Sequence, residues 1–142
     1  MKLNGKRILL VEDNPDQQRL YLKFLLDEGA DVTLECNGFS AAQVAHRARL
    51  AGEAFDATIM DLYLYQCDGV DATRAILQDD PSMPIVAITA HGSAEIESTW
   101  RQAGASEYLS KPIPRTLFVQ TVADVVGKER SERPDNVGIG NA

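Results

Sequence analysis

Ala57-Thr58-Ile59-Met60-Asp61 is an apolar run that ends in a carboxylate. Two other runs share its form: Ile8-Leu9-Leu10-Val11 leads into Glu12-Asp13, and Ile85-Val86-Ala87-Ile88 leads into Thr89. Runs that are apolar at nearly every position suit strands covered on both faces, as in a parallel sheet. Tyr108-Leu109-Ser110 leads into Lys111, while Val32, Leu34 and Cys36 alternate with polar residues as in an edge strand. The patterning predicts strands over 6–12, 31–36, 56–61, 84–89 and 107–110. Between and after them it predicts helices over about 15–28, 38–51, 69–79, 93–103 and 114–127.

Strands alternating with helices of this length form βαβ units with right-handed crossovers. The expected fold is α/β, a flavodoxin-like doubly wound (βα)5 three-layer sandwich on a parallel five-stranded sheet. In such folds ligands sit beyond the carboxyl ends of the strands, where the polar residues above fall. Local signals agree. Asn14-Pro15-Asp16-Gln17 offers an N-cap, a proline at the first helical position and a capping-box glutamine. Gly29, Gly104 and Gly127 each follow a helical segment, as left-handed caps would. Residues 128–142 carry turn chemistry and little to bury, so the expectation is one domain over 1–127 followed by a disordered tail.

The chain has 142 residues, 44% hydrophobic and 25% charged, enough for one domain with its own core. Its net charge of −7 argues against nucleic acid or an anionic membrane as partner. Cys36 and Cys67 have no ligand-like spacing and read as reduced thiols. No stretch approaches the ~20 apolar residues of a membrane span, and the expected location is cytoplasmic.

Glu12, Asp13 and Asp61 converging at one sheet edge would repel one another unless a cation intervened. Hard oxygen donors with room for water suit Mg2+. Asp61, on the central apolar run, is the candidate nucleophile for a phosphoryl group. Lys111 supplies a compact positive charge for a phosphoryl oxygen, and the Thr89 hydroxyl can donate to another. Taken singly, Glu12, Asp13, Thr89 and Lys111 read as ordinary surface or structural residues. Their joint occurrence at successive strand ends carries the inference.

Over roughly residues 5–127 the chain resembles a receiver domain of the two-component response regulators. The resemblance rests on Ile8-Leu9-Leu10-Val11-Glu12-Asp13-Asn14, Met60-Asp61 with Asp68-Gly69, Ile88-Thr89-Ala90, and Gly104-Ala105 through Tyr108-Leu109-Ser110-Lys111-Pro112. It implies strand order 2-1-3-4-5 and Asp61 as phospho-acceptor beside the acid pair Glu12 and Asp13. Mg2+ would also take the backbone carbonyl of Tyr63. Thr89 would be the switch hydroxyl, Tyr108 the switch aromatic and Lys111 the phosphate-binding lysine, with a cis Lys111-Pro112 bond. The implied partner is a histidine kinase or histidine phosphotransfer domain, and a homodimer through the 93–127 face is compatible. The module would signal rather than act as an enzyme. A stand-alone regulator and a receiver from a hybrid histidine kinase both fit.

Some residues depart from the family pattern. Tyr65 stands where a proline is usual, so the 62–67 loop is expected to be less constrained. Tyr63 and His91 occupy positions that tune dephosphorylation in the family, and either shield a phosphoryl group for long life or are solvated loop residues. Leu20, Tyr21, Leu22, Phe24, Leu25 and Leu26 cover more of the first helix than a core stripe needs, as a docking surface or as extra core cover. Tyr108 as core packing and Trp100 as core or output face stay open. A Mg2+-dependent phosphohydrolase is the rival reading, disfavoured because Tyr63 stands where its general acid should be. A nucleotide-binding module lacks its glycine-rich motif.

Overall fold

The structure, a computed structural model, describes residues 1–61, 63, 64, 67–90 and 92–127, with backbone alone at 63, 64, 67 and 68. The expectation of a disordered tail concerns residues outside that range. The elements in chain order are β1 (Arg7–Val11), α1 (Pro15–Asp27), β2 (Asp31–Glu35), α2 (Gly38–Leu50), β3 (Ala57–Asp61), β4 (Tyr63–Leu64) and β5 (Cys67–Asp68). They continue with α3 (Gly69–Asp79), β6 (Ile85–Thr89), α4 (Ala94–Ala103), β7 (Glu107–Ser110) and α5 (Arg115–Gly127).

The main sheet runs β2-β1-β3-β6-β7 with every neighbouring pair parallel. With the short β4–β5 pair set aside this is the order 2-1-3-4-5, and the chain reverses its winding between β1 and β3. The two central strands β3 and β6 are buried at every residue, whereas β2 is partly exposed at the edge. Successive side chains on a strand point to opposite faces, and this divides the core in two. Ile8, Leu10, Ile59 and Val86 pack with Tyr21, Leu25, Phe118 and Val122 from α1 and α5. Leu9, Val11, Met60 and Ile85 pack with Ala41, Ala45, Ile76 and Trp100 from α2, α3 and α4. Trp100 is fully buried, which places it in the core and not on an output face. On α1, Tyr21 and Leu25 are buried, but Leu20 and Leu26 stay 42% and 51% exposed, so the wide apolar face is partly surplus to the core.

Helix ends follow the local chemistry. The Asn14 side chain accepts from the N–H groups of Asp16 and Gln17, with Pro15 opening the helix. The reciprocal arm of a capping box is taken by Glu12, whose Oε2 accepts the Asn14 N–H at 3.3 Å. After α1, Gly29 adopts φ 86° while Ala30 N–H reaches back to the Leu25 carbonyl. Gly104, at φ 106°, ends α4 in the same way, with Ala105 N–H bonded to Trp100. Gly127 differs from expectation: it is the last residue of α5 and lacks the left-handed backbone of a cap. After Asp61, Tyr63 pairs with Asp68 and Leu64 with Cys67, antiparallel; the expectation of a less constrained 62–67 loop rests in part on residues outside the described range.

Asp79 at the end of α3 accepts from Arg49 Nε at 3.0 Å, from Arg49 Nη2 at 2.7 Å and pairs with His46 Nδ1 at 2.8 Å. The Arg49 hydrogen bonds outweigh burial and, helped by His46, hold the Asp79 carboxyl down at about 2. A carboxyl depressed on folding stabilises the native state above its unfolded pKa and loses that contribution as pH falls through the folded value. Asp79→Asn is expected to cost about 1 kcal/mol at neutral pH, measured by urea unfolding. The gap to the parent should close as pH drops from about 4 to 2. At Gly104 a Cβ would stand 2.5 Å from Leu77 Cδ1 on a left-handed backbone. Gly104→Ala should therefore cost about 1–3 kcal/mol in the same assay.

Candidate functional site

The strand register assembles the site. Val11 stands beside Met60, Asp61 beside Ile88 and Thr89 beside Ser110. The next residues along β1 and β7 are therefore Glu12, at the level of Asp61, and Lys111, just beyond Thr89. The Glu12 N–H continues the sheet by bonding to the Glu35 carbonyl at 3.0 Å. Because these strands are covered on both faces, the carboxylates at their ends leave water too: Glu12 is 1% exposed and Asp61 5%. Asp13, one residue further out, is half-buried.

One oxygen from each of Glu12, Asp13 and Asp61 lies within 4.8 Å of the others. Lys111 Nζ reaches Glu12 Oε1 at 3.2 Å and Asp61 Oδ2 at 3.5 Å. Its backbone N–H bonds to the Thr89 carbonyl at 2.7 Å, and the Lys111–Pro112 peptide is cis. Gln18 Nε2 donates to the Glu12 carbonyl at 2.6 Å, so α1 also holds the acid in place. Among the described residues, three carboxylates face one ammonium. At an effective dielectric near 20, two like charges about 5 Å apart repel by roughly 3 kcal/mol. A small divalent cation with oxygen ligands relieves that repulsion, and the all-carboxylate donor set fits Mg2+.

The predicted residues do not all meet. Glu12, Asp13, Asp61 and Lys111 come together, and Thr89 is fully buried at the adjoining strand end. Tyr108 is half-buried and packs against the α2–α4 side of the core. Its hydroxyl is covered and has no hydrogen-bond partner among the described residues. Tyr63 lies in β4; consecutive antiparallel pairs alternate between bonded and unbonded, so only one of Tyr63 and Leu64 has its carbonyl committed to β5. His91 and Tyr65 lie outside the described residues, and with them the proposed shielding of the phosphoryl group. Tyr21 was read from sequence only as part of an apolar face. Its buried ring stacks on Phe118 at 4.8 Å, and burial, then the charges of Glu12 and Asp61, push its phenol far up. The available signal was its spacing of three from Gln18, on the helix face turned to the site.

Residues 8–123 match the response regulator receiver domain model. The chain belongs to that family. It is 36% identical over 126 residues to the sensor protein GacS of Pseudomonas syringae pv. syringae, covering 85% of this chain and 13% of that protein. It is 29% identical to the polar-differentiation response regulator DivK of Brucella anthropi, covering 86% of this chain and 97% of that one. This receiver domain thus spans a small part of long sensor proteins and nearly all of a short regulator. Among solved structures, the receiver domain of sensor histidine kinase PA1611 from Pseudomonas aeruginosa PAO1 superposes with a TM-score of 0.79. It is 36% identical, with 87% of this chain and 99% of that one covered, and it carries a magnesium ion coordinated in its active site cleft. Receiver domains are signalling modules, and the fold and family expectations stand.

Removing one carboxylate should relieve the cluster. In chelator, Asp61→Asn is expected to raise unfolding stability by about 1 kcal/mol. Adding Mg2+ should raise the thermal midpoint of the parent and leave that of Asp61→Asn nearly unchanged, read by calorimetry.

Proposed function

We propose that this receiver domain accepts a phosphoryl group on Asp61 from a phosphohistidine of a histidine kinase or phosphotransfer domain. The observation that carries the reading is Lys111 Nζ bridging Glu12 and Asp61 inside a buried acid cluster at the strand ends. An Asp61 oxygen attacks phosphorus, the P–N bond to the donor imidazole breaks, and an acyl phosphate forms on Asp61. Lys111, already within 3.5 Å of Asp61, would hold one transferred oxygen. The Thr89 hydroxyl would donate to another. Glu12 and Asp13, with Asp61 and the Tyr63 carbonyl, would hold Mg2+. When bound, that ion offsets the carboxylate charge and stabilises charge on the phosphoryl oxygens.

The added charge at Asp61 draws on Thr89, and Tyr108 on the neighbouring strand is the aromatic that would respond. This is a local charge event biasing a two-state element. The 36% identities to sensor-kinase receivers favour a hybrid-kinase setting over a stand-alone regulator. On this reading each chain takes one phosphoryl group and passes the signal on.

Incubation with Mg2+ and acetyl phosphate should give base-labile label of one phosphoryl group per chain, detected by intact mass. Asp61→Asn should abolish the label, and Lys111→Ala should slow labelling about 100-fold. Consumption of many donor molecules per chain would instead support a phosphohydrolase.

A further inference from the structure

Tyr108 and Ser110 are two apart on β7 and point to the same face of the sheet. The stretch between β6 and α4 crosses them at Gly92. A Cβ built on Gly92 would stand 2.2 Å from Ser110 Oγ, 3.4 Å from Ser110 Cβ and 3.3 Å from the Tyr108 hydroxyl. The first distance is impossible and the last is tight. Gly92 has no positive φ, so its backbone does not explain the residue. What position 92 requires is emptiness above Tyr108 and Ser110.

We infer that Gly92 is a positioning residue for Tyr108: the missing side chain makes the room in which the covered tyrosine hydroxyl sits. The inference rests on reading Tyr108 as the switch aromatic. The covered hydroxyl has no partner among the described residues, so this arrangement carries a desolvation cost. A conformation held against such a cost is sensitive to small changes in space. Position 92 therefore sets the balance between the covered Tyr108 and one turned toward water. Ser110 is exposed and can rotate its Oγ aside. The contact that matters is the one with Tyr108.

The test uses the Ser110→Ala background, which removes the nearest obstacle. 3-Fluorotyrosine is incorporated, and the Tyr108 fluorine resonance is assigned by its loss in Tyr108→Phe. The water-to-deuterium-oxide shift of that resonance then reports its exposure. Gly92→Ala and then Gly92→Val should move Tyr108 stepwise toward the exposed value, lowering the covered-to-exposed ratio by roughly tenfold for the larger side chain. In urea unfolding, the loss caused by Gly92→Ala should shrink when Tyr108 is Phe, a coupling that a purely local loop effect would not produce. An unmoved Tyr108 resonance in folded Gly92→Val, or no coupling in the cycle, overturns the role of Gly92. These readouts need no phosphodonor. If the Gly92 variants move Tyr108 as described while the parent takes no label on Asp61, the result therefore counts against the proposed function alone.

Discussion

One ammonium, that of Lys111, stands between two carboxylates that have almost no water. Glu12 and Asp61 are costly where they are, because burying a charge without a partner is among the largest penalties a fold can carry. Lys111 offsets part of that cost only if β1, β3 and β7 end at matching heights. Matching heights need the parallel register, and the register needs runs apolar on both faces. A slip of one residue would turn the whole set of side chains over. The doubly covered sheet is thus the condition under which these charges can be held at all.

The arrangement leaves charge unbalanced by design. Lys111 meets two acids, while Asp13 adds a third at the rim. Stability given up at such a point is the usual mark of a site kept for chemistry. Other polar groups stabilise without that tension: Asn14 and Asn37 cap helices, and Gln18 fixes the Glu12 backbone from α1. The same module accounts for a fraction of GacS and for nearly all of DivK. Such reuse suits a site built within one sheet edge, needing nothing from neighbouring domains for its geometry.

Much of this was legible in the residues because two short-range rules govern it. The apolar runs at 8–11, 57–60 and 85–88 declare buried parallel strands. Carboxylates placed directly after two such runs, with a hydroxyl and a lysine at the other strand ends, together declare a site, since a buried charge needs a partner. Less legible were features set by rotation and pairing. Tyr21 feels the charge of Glu12 and Asp61 because of how α1 turns over the sheet, and its spacing of three from Gln18 is only an indirect sign of that. The β4–β5 hairpin joins Tyr63-Leu64 to Cys67-Asp68, residues with no alternating pattern to announce a strand. Gly127 looked like a cap because glycine after a helix usually is one, but α5 simply includes it. The space at Gly92 depends on two side chains eighteen or fewer positions away in sequence and on the strand that carries them.

The sheet's second face is not mechanically uniform. Asp79 takes Arg49 and His46 from across the helix boundary, and this rivets α2 and α3 into one plate. Among the described residues, Arg101 and Thr99 of α4 bond within their own helix instead, to the Glu97 carboxylate and the Glu95 carbonyl. Stress arising at the strand ends therefore meets a stiff panel on one side and a yielding one on the other. The rivet lies at the far ends of its helices, away from the acids, yet it helps decide in which direction the domain gives.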